Sequence, residues 1–298
     1  MNKPILLTEK QLIKPIIQAI ERIDKIGQIE IENGNNIIVE GLFVLAVSSF
    51  ENSILDTLKV YLTHIPDKLD FKTETISKKE LIEGEPLRQA IENKINGISY
   101  KNLAEILTYF IKTMSINDTF LGNDLLNELI EIKATRNLLI HNNLIENNIY
   151  IETAGPRARR ADYQQRLPIN VEYLIKSLVS LKNVLEAIEN ELSIKYSAFT
   201  KIKAAKNLFD FIFQTPLLNF EKVFILSEKS DTIQAVNSKN IKKIEGDLSG
   251  TEKLFFDLWI AHFTGKEFKF HGGWFYHLGS ERRKQLEYFI SVIDILKS

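Results

Sequence analysis

Apolar residues recur every three to four positions over most of this chain, a spacing that predicts a helical protein. Thr8 and Gln11 form a candidate capping box before a helix running to about residue 26, which Pro15 should strain or kink. Asn33-Gly34-Asn35 reads as a turn, and a long amphipathic segment over 37–64 follows, stopped by Pro66. Ser77 and Glu80 make a second capping box, while Gly84, Pro86 and Gly97 divide the next stretch into short helices. Residues 100–114 and 124–141 each hold four to five turns of helical spacing. Asn147-Asn148 reads as a turn beside a β-like run, Ile149-Tyr150-Ile151. Residues 153–170 read as an exposed loop and 171–196 as another long helix. The expectation is a bundle of four or more helices over 1–197.

The last hundred residues have a different texture. Residues 222–226 and 232–236 are candidate strands, 251–264 and 280–296 candidate helices, and 268–276 an aromatic, glycine-rich connector. The fold class is therefore mainly α, with a smaller, mostly helical C-terminal domain over 198–298 that has room for a strand pair.

With 38 Lys+Arg against 39 Asp+Glu, no global field advertises a nucleic-acid partner, so any such contact must come from a local patch. The absence of cysteine excludes disulfides, zinc ribbons, iron–sulfur clusters and thiol nucleophiles. No apolar run approaches the roughly 18 residues of a membrane span, and the N-terminus lacks an apolar signal core. The expectation is a soluble cytoplasmic protein without a membrane partner.

Arginine is the scarce cation, nine against twenty-nine lysines, yet five of the nine fall between Arg136 and Arg166. A guanidinium stays ionised and grips phosphate oxygens with two parallel donors, so this window is a candidate phosphate-handling region. Its core is Arg136-Asn137-Leu138-Leu139-Ile140-His141. Asn137 and His141, four apart, share a helix face, close enough for the amide to orient the imidazole. Arg136 and His141 are five apart, about 140° round a straight helix, a spacing that suits a site completed by a second subunit. Arg157, Arg159, Arg160 and Arg166 follow directly and are candidate RNA contacts.

The Arg136 to His141 pattern near the end of a long helix resembles the Arg-x4–6-His motif of HEPN domains. These are dimeric, all-helical proteins, many of them metal-independent endoribonucleases of toxin–antitoxin and anti-phage systems. The resemblance covers about residues 35–195. It implies catalytic positions for Arg136 and His141, the polar position for Asn137, and a helper role for Glu51 in Phe50-Glu51-Asn52-Ser53-Ile54-Leu55-Asp56. It also implies a homodimer, RNA as substrate, no metal or cofactor, and an antitoxin or sensor protein as regulator. Family toxins silenced by nucleotidylation carry a tyrosine two residues after the histidine. Asn143 stands there, and Tyr150 is too distant to substitute.

Two rival readings stand beside this one. The bundle is a non-catalytic binding or assembly module whose Arg136 and His141 organise an interface, or it is a nucleotide-binding sensor with the arginine cluster holding a phosphate ligand. His262, His271 and His277 lack the spacing and carboxylate partner of a zinc site. Trp274, Phe275 and Tyr276 read as core or interface aromatics rather than a base-stacking platform, and Arg282 and Arg283 offer a second basic spot. No phosphate-binding loop, nucleophile elbow or His-Glu-x-x-His occurs.

Overall fold

The helix α2 (Asn36–His64) organises the N-terminal part of the computed structural model, which describes residues 4–32, 36–69, 86–160, 166–213, 218–248, 250–264 and 278–293. Its sequence has no proline and only one glycine, and twelve of its residues are buried, among them Phe43, Phe50, Ile54 and Leu58. By length and composition α2 is apolar enough to cross a membrane, although no uninterrupted apolar run reveals this in the sequence. Here its apolar surface is covered on several sides by other helices. It packs against α1 (Glu9–Gly27), α3 (Pro86–Ser99), α4 (Leu103–Met114), α5 (Asn123–Asn142) and α7 (Val171–Tyr196). Each fully buried aliphatic or aromatic side chain of such a seam contributes roughly 1.5–3 kcal/mol.

Pro15 lies inside α1, which keeps its helical course. Leu12, Ile13, Ile16, Ala19, Ile23 and Ile26 bury one face on both sides of the proline, so packing on α2 and α7 holds the two halves together. Lys182 ties α7 to Asp24 of α1 at 2.6 Å. The segment expected to break into short helices is the single helix α3 over its described length, with Pro86 at its first position, where the missing N–H costs nothing. The second expected capping box, at Ser77 and Glu80, and the turn at 33–35 lie outside the described residues.

Two expectations around residue 150 are corrected. Ile149-Tyr150-Ile151 is not extended but belongs to α6 (Asn148–Ala154), because the Asn147 side chain accepts the Tyr150 N–H and Tyr150 is buried. A cap plus one buried ring outweighs the β preference of the two isoleucines. The described residues of 153–170 are not simply an exposed loop either. Gly155–Arg157 forms a 3-10 turn, Ile145 pairs with Arg166 as an isolated bridge, and Leu167 and Ile169 are buried.

The chain divides into two compact units, Glu9–Ser197 and a second made of Ala198–Ser298 with Met1–Thr8. In the second unit, α8 (Lys201–Ile212) and α9 (Phe220–Val223) precede an antiparallel hairpin, β1 (Phe224–Ser227) and β2 (Thr232–Ala235), with Phe224 opposite Ala235. Then come α10 (Ser238–Gly246), α11 (Gly250–Thr264) and α12 (Ser280–Val292). Asp231, in left-handed backbone at the hairpin turn, accepts the N–H groups of Lys201 and Ile202 and so satisfies free donors at the start of α8. The core is aromatic: Phe209, Phe220, Phe224, Phe255, Trp259 and Phe289 are buried together, and Leu6 joins them. The fold is mainly α with a small α+β part at the C-terminal end.

His64 closes α2, and burial lowers its pKa from the ordinary 6.5. The unfolded chain therefore accepts a proton that the folded chain resists. Stability from this residue is complete above about pH 6.5 and declines as pH falls below it, by at most about 1.4 kcal/mol per pH unit. Urea unfolding followed from about pH 7.5 down to 5.5 should show this loss in the native chain and a flatter profile in His64→Gln.

Candidate functional site

The last turns of α5 carry the motif, and the way the helix ends fixes its setting. Asn143 and Leu144 both adopt left-handed backbone, φ 48° and 62°, and the N–H of each returns to the Leu138 carbonyl. Asparagine tolerates that conformation far better than most residues, so position 143 is a helix terminator. Leu144 is buried and anchors the turn. Arg166 then staples it. Its Nε donates to the Asn143 carbonyl at 3.1 Å and one terminal nitrogen reaches both oxygens of Glu40 on α2 at 3.0 Å.

Arg136 is half-buried and held by neutral groups. Nη1 donates to Asn137 Oδ1 at 3.0 Å, Nη2 approaches Ser48 Oγ at 3.4 Å, and Nε is buried without an acceptor. Among the described residues it has no carboxylate partner. The expectation that Asn137 orients the histidine is corrected: its amide oxygen receives the guanidinium beside it. His141 is exposed in the final turn of α5 and makes no hydrogen bond among the described residues.

Two clefts open on either side of this face. One, of about 510 Å³, is lined by Arg136, Asn137, Lys133, Glu51, Lys101 and Tyr100, among others. The other, of about 300 Å³, is lined by His141, Asn142, Leu138, Ile149 and Tyr150. Asn137 and Thr153 line both. The structure thus brings Glu51, Asn137 and Arg136 to one cleft and places His141 in its neighbour. Glu51 does not face a free cation, because Lys133 Nζ lies 2.6 Å from its carboxylate and both side chains are 13% exposed. Lys133 was missed in the sequence, although its place one turn before Arg136 is the available signal.

The four loop arginines are all paired. Arg157 reaches Asp124 at 3.4 Å, Arg160 reaches Glu146 at 2.7 Å, and Arg166 reaches Glu40. Arg159 belongs to a buried network that composition did not reveal. Its Nε donates to Glu131 at 3.0 Å, Nη2 to Thr135 Oγ1 at 3.1 Å and Nη1 to the Pro168 carbonyl at 2.7 Å. Its guanidinium carbon also stands 3.6 Å from the centroid of the Tyr173 ring. The Glu131 carboxylate, 5% exposed, also accepts from Thr135 at 2.6 Å, Tyr150 at 3.0 Å and Tyr173 at 2.8 Å. Burial first, and the Glu131 charge second, push both tyrosine hydroxyls up, so each remains a donor. The only sequence signal for Glu131 is a charge spaced i, i+4 and i+7 from Thr135 and Leu138 on the inner face of α5.

Among the described residues no group of three histidine, aspartate or glutamate side chains is placed to hold a metal ion. His271, His277 and the Trp274-Phe275-Tyr276 run lie outside the described residues. Arg282 is turned inward, donating to the Ile212 carbonyl and Gln285 Oε1. No family model, curated protein or solved structure matches this chain.

Glu131→Ala should lower stability by about 3 kcal/mol or more, since it leaves the Arg159 charge without its counter-ion and two buried phenols without their acceptor. Urea unfolding of the purified variant measures this. An unchanged midpoint would mean that the network contributes nothing to the packing of α5, α6 and α7.

Proposed function

We propose that this chain is a metal-independent endoribonuclease of the HEPN kind, working as a homodimer. The observation that carries the reading is Arg136: a half-buried cation on a cleft wall, held only by neutral partners, with its charge available to an incoming anion. An arginine in that position is costly to retain without a ligand, and a phosphodiester supplies one.

In the proposed reaction a base takes the proton of the RNA 2′-hydroxyl, and the 2′-oxygen bonds to phosphorus. The bond to the 5′-oxygen breaks as an acid protonates it. An imidazole can serve either as base or as acid, and His141 from each protomer supplies one of the two roles. Arg136 neutralises the charge that builds on the phosphorane, and Asn137 fixes its guanidinium. Glu51 acts one step back, anchoring Lys133 at the same wall. The products are a 2′,3′-cyclic phosphate and a 5′-hydroxyl. The resemblance implies a toxin or anti-phage effector restrained by an antitoxin or sensor protein.

One observation favours the rival binding or assembly module: within one protomer Arg136 and His141 line different clefts. A composite site answers it, because a second subunit can bring its histidine to the first subunit's arginine.

Labelled RNA incubated with the wild-type protein in EDTA should be cut, while His141→Ala and Arg136→Ala should each be slower by roughly 10²–10⁴-fold and remain folded by circular dichroism. Mixing the two inactive variants should restore part of the activity if groups are shared between protomers. A strictly monomeric species with full activity would rule out the composite site.

The ion pairs narrow the RNA contacts among the loop arginines. Arg159 and Arg166 each hold three acceptor atoms with the side chain and serve the fold, whereas Arg160 and Arg157 each meet one carboxylate among the described residues and are free to exchange it for phosphate. Replacing both with glutamine should flatten the log–log salt dependence of single-strand binding by about 1.4 units, at ~0.7 per phosphate. A filter-binding titration reads the slope, and an unchanged value would place the RNA path elsewhere.

A further inference from the structure

Tyr100 sits in the turn between α3 and α4 with 91% of its surface exposed, more than any other large apolar side chain among the described residues. Its ring stacks on no other ring there, and its hydroxyl has no hydrogen-bond partner among the described residues. A single exposed ring is ordinary on a protein surface, and what distinguishes this one is its position. Tyr100 also lines the 510 Å³ cleft that holds Arg136.

The charges of that cleft can be assigned. Glu51 and Lys133 cancel at 2.6 Å, and the Lys133 ammonium also donates to the Lys101 carbonyl at 3.3 Å. The side chains of Lys101 and Arg136 remain without carboxylate partners among the described residues, so the cleft carries a surplus of positive charge. Asn102 and Asn137 add amide groups to its lining. A flat apolar ring, two cations and amides around a small-molecule-sized volume match one nucleotide: a base with a π-face, a phosphate, and hydrogen-bonding edges.

We infer that this cleft is a base-stacking subsite for single-stranded RNA, in which an unpaired base lies on Tyr100 and the adjoining phosphodiester meets Arg136 and Lys101. The inference rests on the nuclease reading of the same cleft and adds what selects its substrate. A duplex keeps its base faces stacked inside the helix and offers none to Tyr100. The platform therefore favours loops, bulges and strand ends. Because every base has a π-face, stacking alone discriminates weakly among sequences.

The test uses full-length His141→Ala as a non-cleaving background and a short single-stranded RNA carrying one 2-aminopurine. Affinity is read by anisotropy and stacking by 2-aminopurine quenching. Adding Tyr100→Ala should weaken binding roughly tenfold or more and abolish the quenching. Tyr100→Phe should retain both, because it keeps the ring and loses only the hydroxyl. The same sequence as a blunt duplex should bind more weakly and without dependence on Tyr100. Equal affinity of Tyr100→Ala and the parent for the single strand overturns the subsite. So does a failure of the parent to bind single-stranded RNA, or binding of a free mononucleotide with no binding of the strand. The two readings fail separately. Tyr100-dependent binding with no cleavage by the wild type would sink the nuclease and keep the platform, and cleavage indifferent to Tyr100 would do the reverse.

Discussion

A carboxylate withdrawn almost completely from water must be compensated by donors, and Glu131 draws its donors from four places in the chain. Thr135 reaches it within α5, Tyr150 from α6, Arg159 from just after the 3-10 turn, and Tyr173 from α7. Losing any of these leaves charge or hydroxyl groups unpaired in a poorly solvated place, so they form one cooperative unit. Tyr150 and Thr153 of α6 then stand as walls beside the motif. The position of His141's cleft thus follows from a structural ion pair whose carboxylate lies five residues before Arg136 on the same helix.

The arginine-rich window takes on a different meaning in this light. Scarce guanidinium groups in a lysine-rich chain point to a need that lysine cannot meet, and phosphate is one such need. Another is holding several acceptors in a fixed plane. Arg159 uses three nitrogens on three different acceptors and lays its plane on a tyrosine ring, while Arg166 serves a carbonyl and both oxygens of one carboxylate. A lysine ammonium cannot reproduce either geometry. Arg136 differs from them in having only neutral partners, which is why the charge of the motif, rather than that of the loop, carries the functional proposal.

Asn137 and Thr153 line both clefts, so the Arg136 and His141 surfaces are adjacent but distinct. The five-residue spacing makes this unavoidable on one straight helix. Chemistry that needs both groups must therefore bridge the two clefts or recruit a second copy of the chain. Asn143 terminates α5 in left-handed backbone with its own N–H on the Leu138 carbonyl, and a tyrosine there would keep that bond but adopt the conformation at a higher cost.

Much of the helical layout was legible from periodicity. Residues 37–64, 124–141 and 171–196 lie within one or two residues of α2, α5 and α7, because long segments with repeated apolar spacing leave little freedom. Short segments were less secure. Two isoleucines around Tyr150 favour a strand in isolation, and only the Asn147 cap with the burial of Tyr150 makes α6 a helix. Local chain geometry accounts for the long helices, the identity of the motif residues and the angle between Arg136 and His141 on their helix. Tertiary structure alone decided which charges cancel: Glu51 with Lys133, Glu131 with Arg159, Glu40 with Arg166. These partners are 82, 28 and 126 residues apart in order of mention, and only packing brings such residues within reach.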